Sequence, residues 1–370
     1  MSKILPTIGP VSESFNGIKK MLHISSTVRI NGSHNTLKWH KKIADTVKRI
    51  KKNSTILLDV PGIKPRTANI KDIKINKNER IIFIYKSKNL DKNIKLIEIT
   101  NPLPQINKNV KFFSISDGQY EFRITRFGKN FIEGKSNESF ILKPKKGLNI
   151  PFSIYDENAQ FKIYSNFIKK YKSVKYDALG LSFVQSELIL KKIKKKFKNI
   201  VIVAKIENYL GLKNAKNICK HSDIVMIDRG DLGAEIGNNK LYSAIVTISE
   251  MTKKYGKSLI MATENLNSMI TRKSPTKSEI VALGFSLSLK ADKIMLSDET
   301  ATAKNWYSSL IWLNNFLKHN KNYKLKIKNN NDLFWNIISE LPSNIPIVVF
   351  SRKGLAIEKL SKIKGDVDLT

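Results

Sequence analysis

Cysteine is nearly absent from this chain of 370 residues: Cys219 stands alone, which excludes an intrachain disulfide and any cysteine-based zinc site. It follows the apolar stripe Leu212, Ala215, Ile218 of an expected helix and reads as a buried structural thiol. Long hydrophobic runs are missing as well. No stretch approaches the roughly 18 to 20 apolar residues that cross a bilayer, and the opening MSKILPTIGP has neither the basic region nor the apolar core of a secretory leader. The expectation is a cytoplasmic protein with no membrane partner. Acidic residues are scarce beside basic ones, 31 against 66, giving a formal charge of +35. Such an excess suits phosphate neutralisation on nucleic acid. Here it is spread along the whole chain with abundant Ile and Asn, residues that A/T-rich codons encode, so it is read as compositional and no nucleic-acid partner is expected. Hydrophobic residues at 41% are too many for a disordered chain.

What is present is a repeated alternation of short apolar runs and longer amphipathic segments, the pattern of β-α units around a parallel sheet. Eight runs can be read: KILPTIGP, STVRINGS, STILLDVPG, YDALGLSFVQS, NIVIVAKIEN, SDIVMIDRGD, KSLIMATEN and ADKIMLSDET. Between the second and third, Leu37, His40, Ile43, Ala44, Val47 and Ile50 share one helical face, with Thr36 as N-cap. Leu241, Ile245, Ile248 and Met251 mark another helix, which Gly256 can end. Eight strands close a (β/α)8 TIM barrel, an α/β fold, whose active site forms at the carboxyl ends of the strands. Those ends carry Thr7, then Arg29, Asn31 and Ser33, then Asp59, Ser182, Lys205 with Glu207, Arg229 with Asp231, Thr263, and Ser297 with Glu299. In a barrel they converge on one mouth.

Residues 67–149 break the pattern with short alternating stretches such as ERIIFIYKS, YEFRITRFG and NFIEGKS, and no long helix. They read as a β-rich domain inserted after the third strand, placed to act as a lid. The barrel then comprises 1–66 and 150–318. After the helix NWYSSLIWLNNFLKH and a polar tract, residues 332–370 offer only two helices and a strand, too little for an independent domain, and read as a short C-terminal α/β remnant.

Glu207 and Asp231 end adjacent strands, an arrangement that offers a hard divalent cation two oxygen ligands; magnesium suits it best. Lys205 lies two residues before Glu207, so both side chains share a face of the strand. A fixed cation there suits charge developing on a transferring phosphoryl group or an enolate. In Arg229-Gly230-Asp231-Leu232-Gly233, two glycines flank a carboxylate and let backbone N–H groups approach an anion.

The motifs TIGP, RINGSH, LLDVPG, SDG, KKGLNIP, LSFVQS, AKIEN, DRGDLGAEI, MATENLNSM, SPTKSE and MLSDETA, in this order over residues 3 to 320, resemble the pyruvate kinase family. The resemblance implies a TIM barrel with a small β-barrel lid after strand three, and phosphoryl transfer from phosphoenolpyruvate to ADP to give pyruvate and ATP. It implies that Glu207 and Asp231 hold Mg2+ (or Mn2+), that Lys205 and Arg29 meet the phosphoryl group, and that Thr263 and Ser297 lie near the enolate. Asn31, Ser33 and Asp59 match the family's monovalent-cation cage. His34, Arg66 and Lys146 match positions near the nucleotide phosphates, and Asp117 matches the lid carboxylate. A homo-oligomer contact through the barrel is compatible with the resemblance.

Some positions depart from the family. Lys64 stands where many members carry a glutamate that accompanies potassium, so activity without K+ is expected. Val60 replaces a cage threonine and points the same way. Asp228 replaces a small residue, Glu264 and Asn265 replace Gln-Met, and Asp298 replaces a glycine; each new carboxylate adds negative charge where phosphates should bind. Activation by a sugar phosphate is not expected from so short a remnant. Two other readings stay open: a related metal-dependent barrel enzyme acting on another phosphoenolpyruvate- or pyruvate-type substrate, and a non-catalytic binding protein.

Overall fold

All eight runs become strands of one closed barrel in the computed structural model, which describes residues 3–86 and 94–320. The strands are β1 (Ile4–Ile8), β2 (Thr27–Asn31), β3 (Thr55–Val60), β4 (Ala178–Leu181), β5 (Val201–Ile206), β6 (Ile224–Asp228), β7 (Ser258–Ala262) and β8 (Lys293–Leu296). Each pairs in parallel with its sequence neighbour, and β8 returns to β1 through the register Ile4–Ile294, Leu5–Met295, Pro6–Leu296. Successive side chains point to opposite faces of a strand, so each strand serves two cores. Leu5, Leu57, Val203, Met226, Ile260 and Met295 fill the barrel interior. Ile4, Val28, Ile56, Ile202, Val225 and Ile294 face the surrounding helices.

The helices follow the sequence periodicity. Leu37–Ile50 begins where the Thr36 hydroxyl accepts from Trp39 N and buries His40, Ile43, Ala44 and Val47. Leu241–Lys254 is followed by Gly256 at φ 63°, the left-handed conformation that glycine adopts without strain. The stripe leading to Cys219 is not one helix. It breaks at Asn214 into Tyr209–Lys213 and Ala215–His221, and Cys219 is buried in the second.

The barrel seam depends on Gly9, just past β1. A Cβ there would stand 2.4 Å from the carbonyl oxygen of Ala301, the last residue of the short helix after β8. Neither backbone can yield without opening the β1–β8 contact. Gly9→Ala is therefore expected to destabilise the protein by about 1–3 kcal/mol, seen as a lower urea midpoint at unchanged m-value. An unchanged midpoint would show that the seam is slack.

Between β3 and β4 the chain forms a six-stranded sheet in the order Leu148–Asn149, Phe112–Ile115, Tyr120–Phe127, Phe131–Ser136, Arg80–Ile84, Lys95–Glu98. A ribbon of Ile73–Ile75 with Phe140–Leu142 accompanies it. The small β-barrel expected here is not closed: among the described residues the insert is an open sheet with the ribbon beside it. Its own core includes Phe83, Phe113 and Phe122, with ring centroids 5.0–5.6 Å apart. Its entry and exit run side by side, tied by Leu148 N to Pro65 O at 2.9 Å and Thr67 N to Lys146 O at 2.8 Å. At the tip, Ser116, Asp117 and Gly118 all take positive φ. This turn brings Gly118 against Ala234 of the helix Arg229–Ile236, where an added Cβ would lie 3.4 Å from the alanine Cβ. The inserted sheet thus leans over the barrel mouth. The helix after β8 spans Trp306–His319. The expected remnant at 332–370 lies outside the described residues.

Candidate active site

The period of two that fills the barrel also builds its mouth. Two residues beyond Leu5, Leu57, Val203, Met226 and Met295 stand Thr7, Asp59, Lys205, Asp228 and Ser297, on the same strand faces but at the carboxyl end. With Arg29 they line a cavity of about 660 Å3 that also takes in residues of the inserted sheet. Asn31, Ser33, His34, Lys64, Arg66, Asp117, Lys146, Glu207, Asp231 and Thr263 line it too. Gly230 does not; its N–H donates to Thr263 Oγ1 at 3.1 Å.

Two expected mouth residues turn away. The Arg229 guanidinium donates to the Thr263 carbonyl and, at 2.8 Å, to Asn265 Oδ1. Glu299 accepts from Ser297 N at 2.6 Å and Leu266 N at 3.1 Å. Both side chains saturate buried loop backbone, which would otherwise lack partners. Asn265, one of the departures from the family, completes this clamp by donating to Met295 O at 2.7 Å.

Lys205 is the centre of the charge arrangement. Its ammonium lies 2.7 Å from Glu207 Oε1, 3.3 Å from Asp59 Oδ2, 3.2 Å from Ser182 Oγ and 3.7 Å from Asp228 Oδ2. Burial opposes its charge, but the carboxylates of Asp59, Glu207 and Asp228 outweigh it and hold the pKa above the usual lysine value. Asp59 also accepts from Arg29 Nε at 2.9 Å and Nη2 at 2.6 Å. Burial works against that carboxylate, yet Lys205 and Arg29 keep its pKa below the ordinary range. Gly180 on β4 is what makes room for it, since a Cβ there would meet Asp59 Oδ1 at 2.7 Å. Glu207 fares differently. Burial pushes its pKa up to about 8, and Asp228 and Asp231 add to the effect against the pull of Lys205.

A second cation, Lys64, is 2% exposed and pairs with two carboxylates, Asp231 and, at 2.9 Å, Asp117 at the tip of the inserted sheet. Lys64 therefore ties the tip of the inserted sheet to Asp231, while Asn31 Oδ1 accepts locally from Ser33 N at 3.0 Å. Lys64 holds Asp117 down at about pKa 2, whereas burial raises that of Asp231. Burial and the nearby Arg66 and Arg29 charges push the His34 pKa below the usual imidazole value. Thr263, at φ 57°, donates its hydroxyl to Asp228 Oδ1 at 2.9 Å.

These carboxylates fit a divalent cation. The donors are all hard oxygens, and one oxygen from each of Glu207, Asp228 and Asp231 lies within 4.8 Å of the others. Glu207 Oε1 is fully buried and makes no hydrogen bond, its one close partner being the Lys205 ammonium.

Three further residues belong to the same cluster. In the sequence Asp228 reads only as a repulsive charge, whereas its position two residues after the inward Met226 places it at the mouth. Asn149 and Glu235 carried no sequence signal. Asn149 Nδ2 donates to Asp231 Oδ1 and to Glu235 Oε1, both at 3.1 Å, so the end of the inserted sheet holds the Asp231 carboxylate in place.

Fold and site together define a (β/α)8-barrel enzyme with a buried lysine and clustered carboxylates beside an inserted sheet. The family described as pyruvate kinase, barrel domain, matches residues 1–309. The pyruvate kinase of Thermococcus litoralis is 30% identical over 340 residues, covering 87% of this chain and 70% of its own length. That of Encephalitozoon cuniculi is 31% identical over 309 residues, covering 81% and 71%. The cytosolic isozyme of Nicotiana tabacum is 30% identical over 320 residues, covering 81% and 62%. The chain belongs to the pyruvate kinase family and is a phosphotransferase of the kinase type.

Proposed function

We propose that this protein transfers the phosphoryl group of phosphoenolpyruvate to ADP, giving pyruvate and ATP, in a Mg2+-dependent and K+-independent reaction in the cytoplasm. Residues 67–149 act as the lid over a barrel formed by 1–66 and 150–318. The observation that carries the reading is the buried Lys205 ammonium held beside Glu207 and Asp59 in the cavity that Asp231 also lines.

In the transfer, the bond from phosphorus to the enol oxygen breaks, a terminal oxygen of ADP bonds to phosphorus, and the released enolate gains a proton at carbon. Lys205 and Arg29, both buried and locked by Asp59, present fixed positive charge to the phosphoryl oxygens without reorganising. A divalent cation held by Glu207 and Asp231 would supply further charge neutralisation for the two anionic reactants. Thr263 and Ser297 position the groups that protonate the enolate; Thr263 is oriented by its bonds to Asp228 and Gly230 N. Arg66, Lys146 and neutral His34 face the nucleotide. Asp117, pulled to Lys64, shuts the lid and excludes water.

Lys64 underlies the K+ independence: its buried ammonium, held by Asp117 and Asp231 rather than by Asn31, Ser33 and Asp59, gives the cavity a permanent positive charge in place of the one potassium would bring. Pyruvate formation is expected with phosphoenolpyruvate, ADP and Mg2+, at the same rate in sodium or tetramethylammonium salts as in potassium salts. Strict potassium dependence would overturn the role given to Lys64. A second reading, action on another phosphoenolpyruvate- or pyruvate-type substrate, is favoured by Asp228, a buried carboxylate inside the same cavity. Absence of pyruvate, with phosphoenolpyruvate still raising the melting temperature, would select it.

A further inference from the structure

The proposed reaction uses two carboxylates for the cation, and Asp228 stands beside them. The geometry points to Asp228 as a third carboxylate ligand of that cation, making this a site that binds the divalent ion tightly in the free protein, before any substrate supplies oxygens. This rests on the reading of Glu207 and Asp231 as metal ligands.

Three observations converge. The first is direction: Asp228 follows the inward-facing Met226 by two residues on β6 and is 7% exposed, so its carboxylate is confined to the mouth. The second is availability. Asp228 Oδ1 accepts one neutral hydroxyl, that of Thr263, and Oδ2 lies 3.7 Å from Lys205, too far for a hydrogen bond. Its ligand oxygen lies within 4.8 Å of those of Glu207 and Asp231. Oxygens on opposite sides of a Mg2+ ion are about 4 Å apart, so small side-chain shifts bring all three onto one ion.

The third is charge. The ion pairs fall into two groups, Asp59, Glu207 and Asp228 with Arg29 and Lys205, and Asp117 and Asp231 with Lys64, together five carboxylates against three cations. The excess is two negative charges, the charge of one divalent ion. Without Asp228 the excess would be one, and the ion would depend on substrate anions to complete its surroundings. With Asp228 these ion-paired groups match the charge of the ion among themselves. The consequence is an exchange of affinities: a third carboxylate fills one of six positions around Mg2+ and repels the phosphoenolpyruvate that must approach.

Mn2+ binding to the substrate-free protein, followed by loss of the free-ion electron paramagnetic resonance signal, tests this. Asp228→Ala is expected to weaken Mn2+ binding by about tenfold or more, and to lower the KM for phosphoenolpyruvate. Asp228→Asn, which keeps the shape and one oxygen donor, should fall between, and it carries the test should the alanine variant not fold. Unchanged Mn2+ affinity in a folded Asp228 variant, with binding lost in Glu207→Ala, overturns the third ligand and leaves the two-carboxylate site standing. Failure of the parent protein to bind Mn2+ overturns both.

Discussion

Replacing Lys205 with Met is expected to lower kcat for pyruvate formation by at least about 10²–10³-fold, the loss seen when one fixed electrostatic contact to a developing charge is removed. The methionine fills a similar volume, so what is lost is charge. In the parent, the ammonium is already desolvated and aimed by Asp59, Glu207 and Ser182. No reorganisation is needed when charge moves onto the transferring group, and water cannot replace it. A KM change without a kcat change would mean that Lys205 binds ground state and transition state equally. A kcat within tenfold of the parent would remove Lys205 from the chemistry.

The same substitution should also destabilise the protein, because Asp59, Glu207 and Asp228 lose their shared cation. Leaving a buried charge without its partner costs about 3–5 kcal/mol. Mg2+ should restore part of that loss, since it supplies positive charge to Glu207 and, with the third ligand proposed above, to Asp228. A melting-temperature series with and without Mg2+ reads this directly: the increment on adding metal should be larger in Lys205→Met than in the parent. Equal increments would mean that lysine and metal act on separate groups.

Much of this organisation was legible in the sequence because the barrel repeats one simple rule. Each strand announces itself by a short apolar run, and the two-residue period that buries Val203 also aims Lys205 and then Glu207. The helices were legible where a cap and a stripe coincide, as at Thr36. The break at Asn214 was not, because the apolar spacing of Leu212, Ala215 and Ile218 continues across it while Asn214 Nδ2 bonds to Gln185 O from another unit. The same limit applies to Arg229 and Glu299. A charged residue at a strand end faces the mouth or the loop backbone according to which carbonyls and N–H groups lack partners, and that is decided by neighbours distant in sequence. Asp228 shows the opposite case: its direction was implied by Met226, but its closeness to Glu207 and Asp231 arises from three separate backbone positions. Asn149 and Glu235 meet only because the inserted sheet returns to the barrel beside the helix Arg229–Ile236.

Glu235 should contribute a large part of the pH dependence of folding stability. It is fully buried, accepts from Asn149 Nδ2 at 3.1 Å and Tyr155 OH at 3.3 Å on one oxygen, and leaves Oε2 without a hydrogen bond. Burial pushes its pKa up to about 8, with Lys64 opposing and Asp231 adding to the rise. In the unfolded chain a glutamate titrates near 4.3. The folded protein thus retains a proton that the unfolded chain has released, so stability is fully present below about pH 4.3 and declines as pH rises towards 8. The slope from this group is at most about 1.4 kcal/mol per pH unit. Glu207, also raised to about 8, adds a decline of its own in the metal-free protein. Glu235→Gln keeps the acceptor for Asn149 and Tyr155 and replaces the protonated oxygen with a neutral amide. That variant should show a shallower fall in urea-determined stability between pH 5 and 8, and be more stable than the parent at pH 8. A variant as pH-sensitive as the parent would show that Glu235 is ionised in the folded state. The decline left in Glu235→Gln should shrink further with Mg2+, because an ion on Glu207 favours the carboxylate that burial opposes. Persistence of that remainder in saturating Mg2+ would argue that Glu207 is not among the metal ligands.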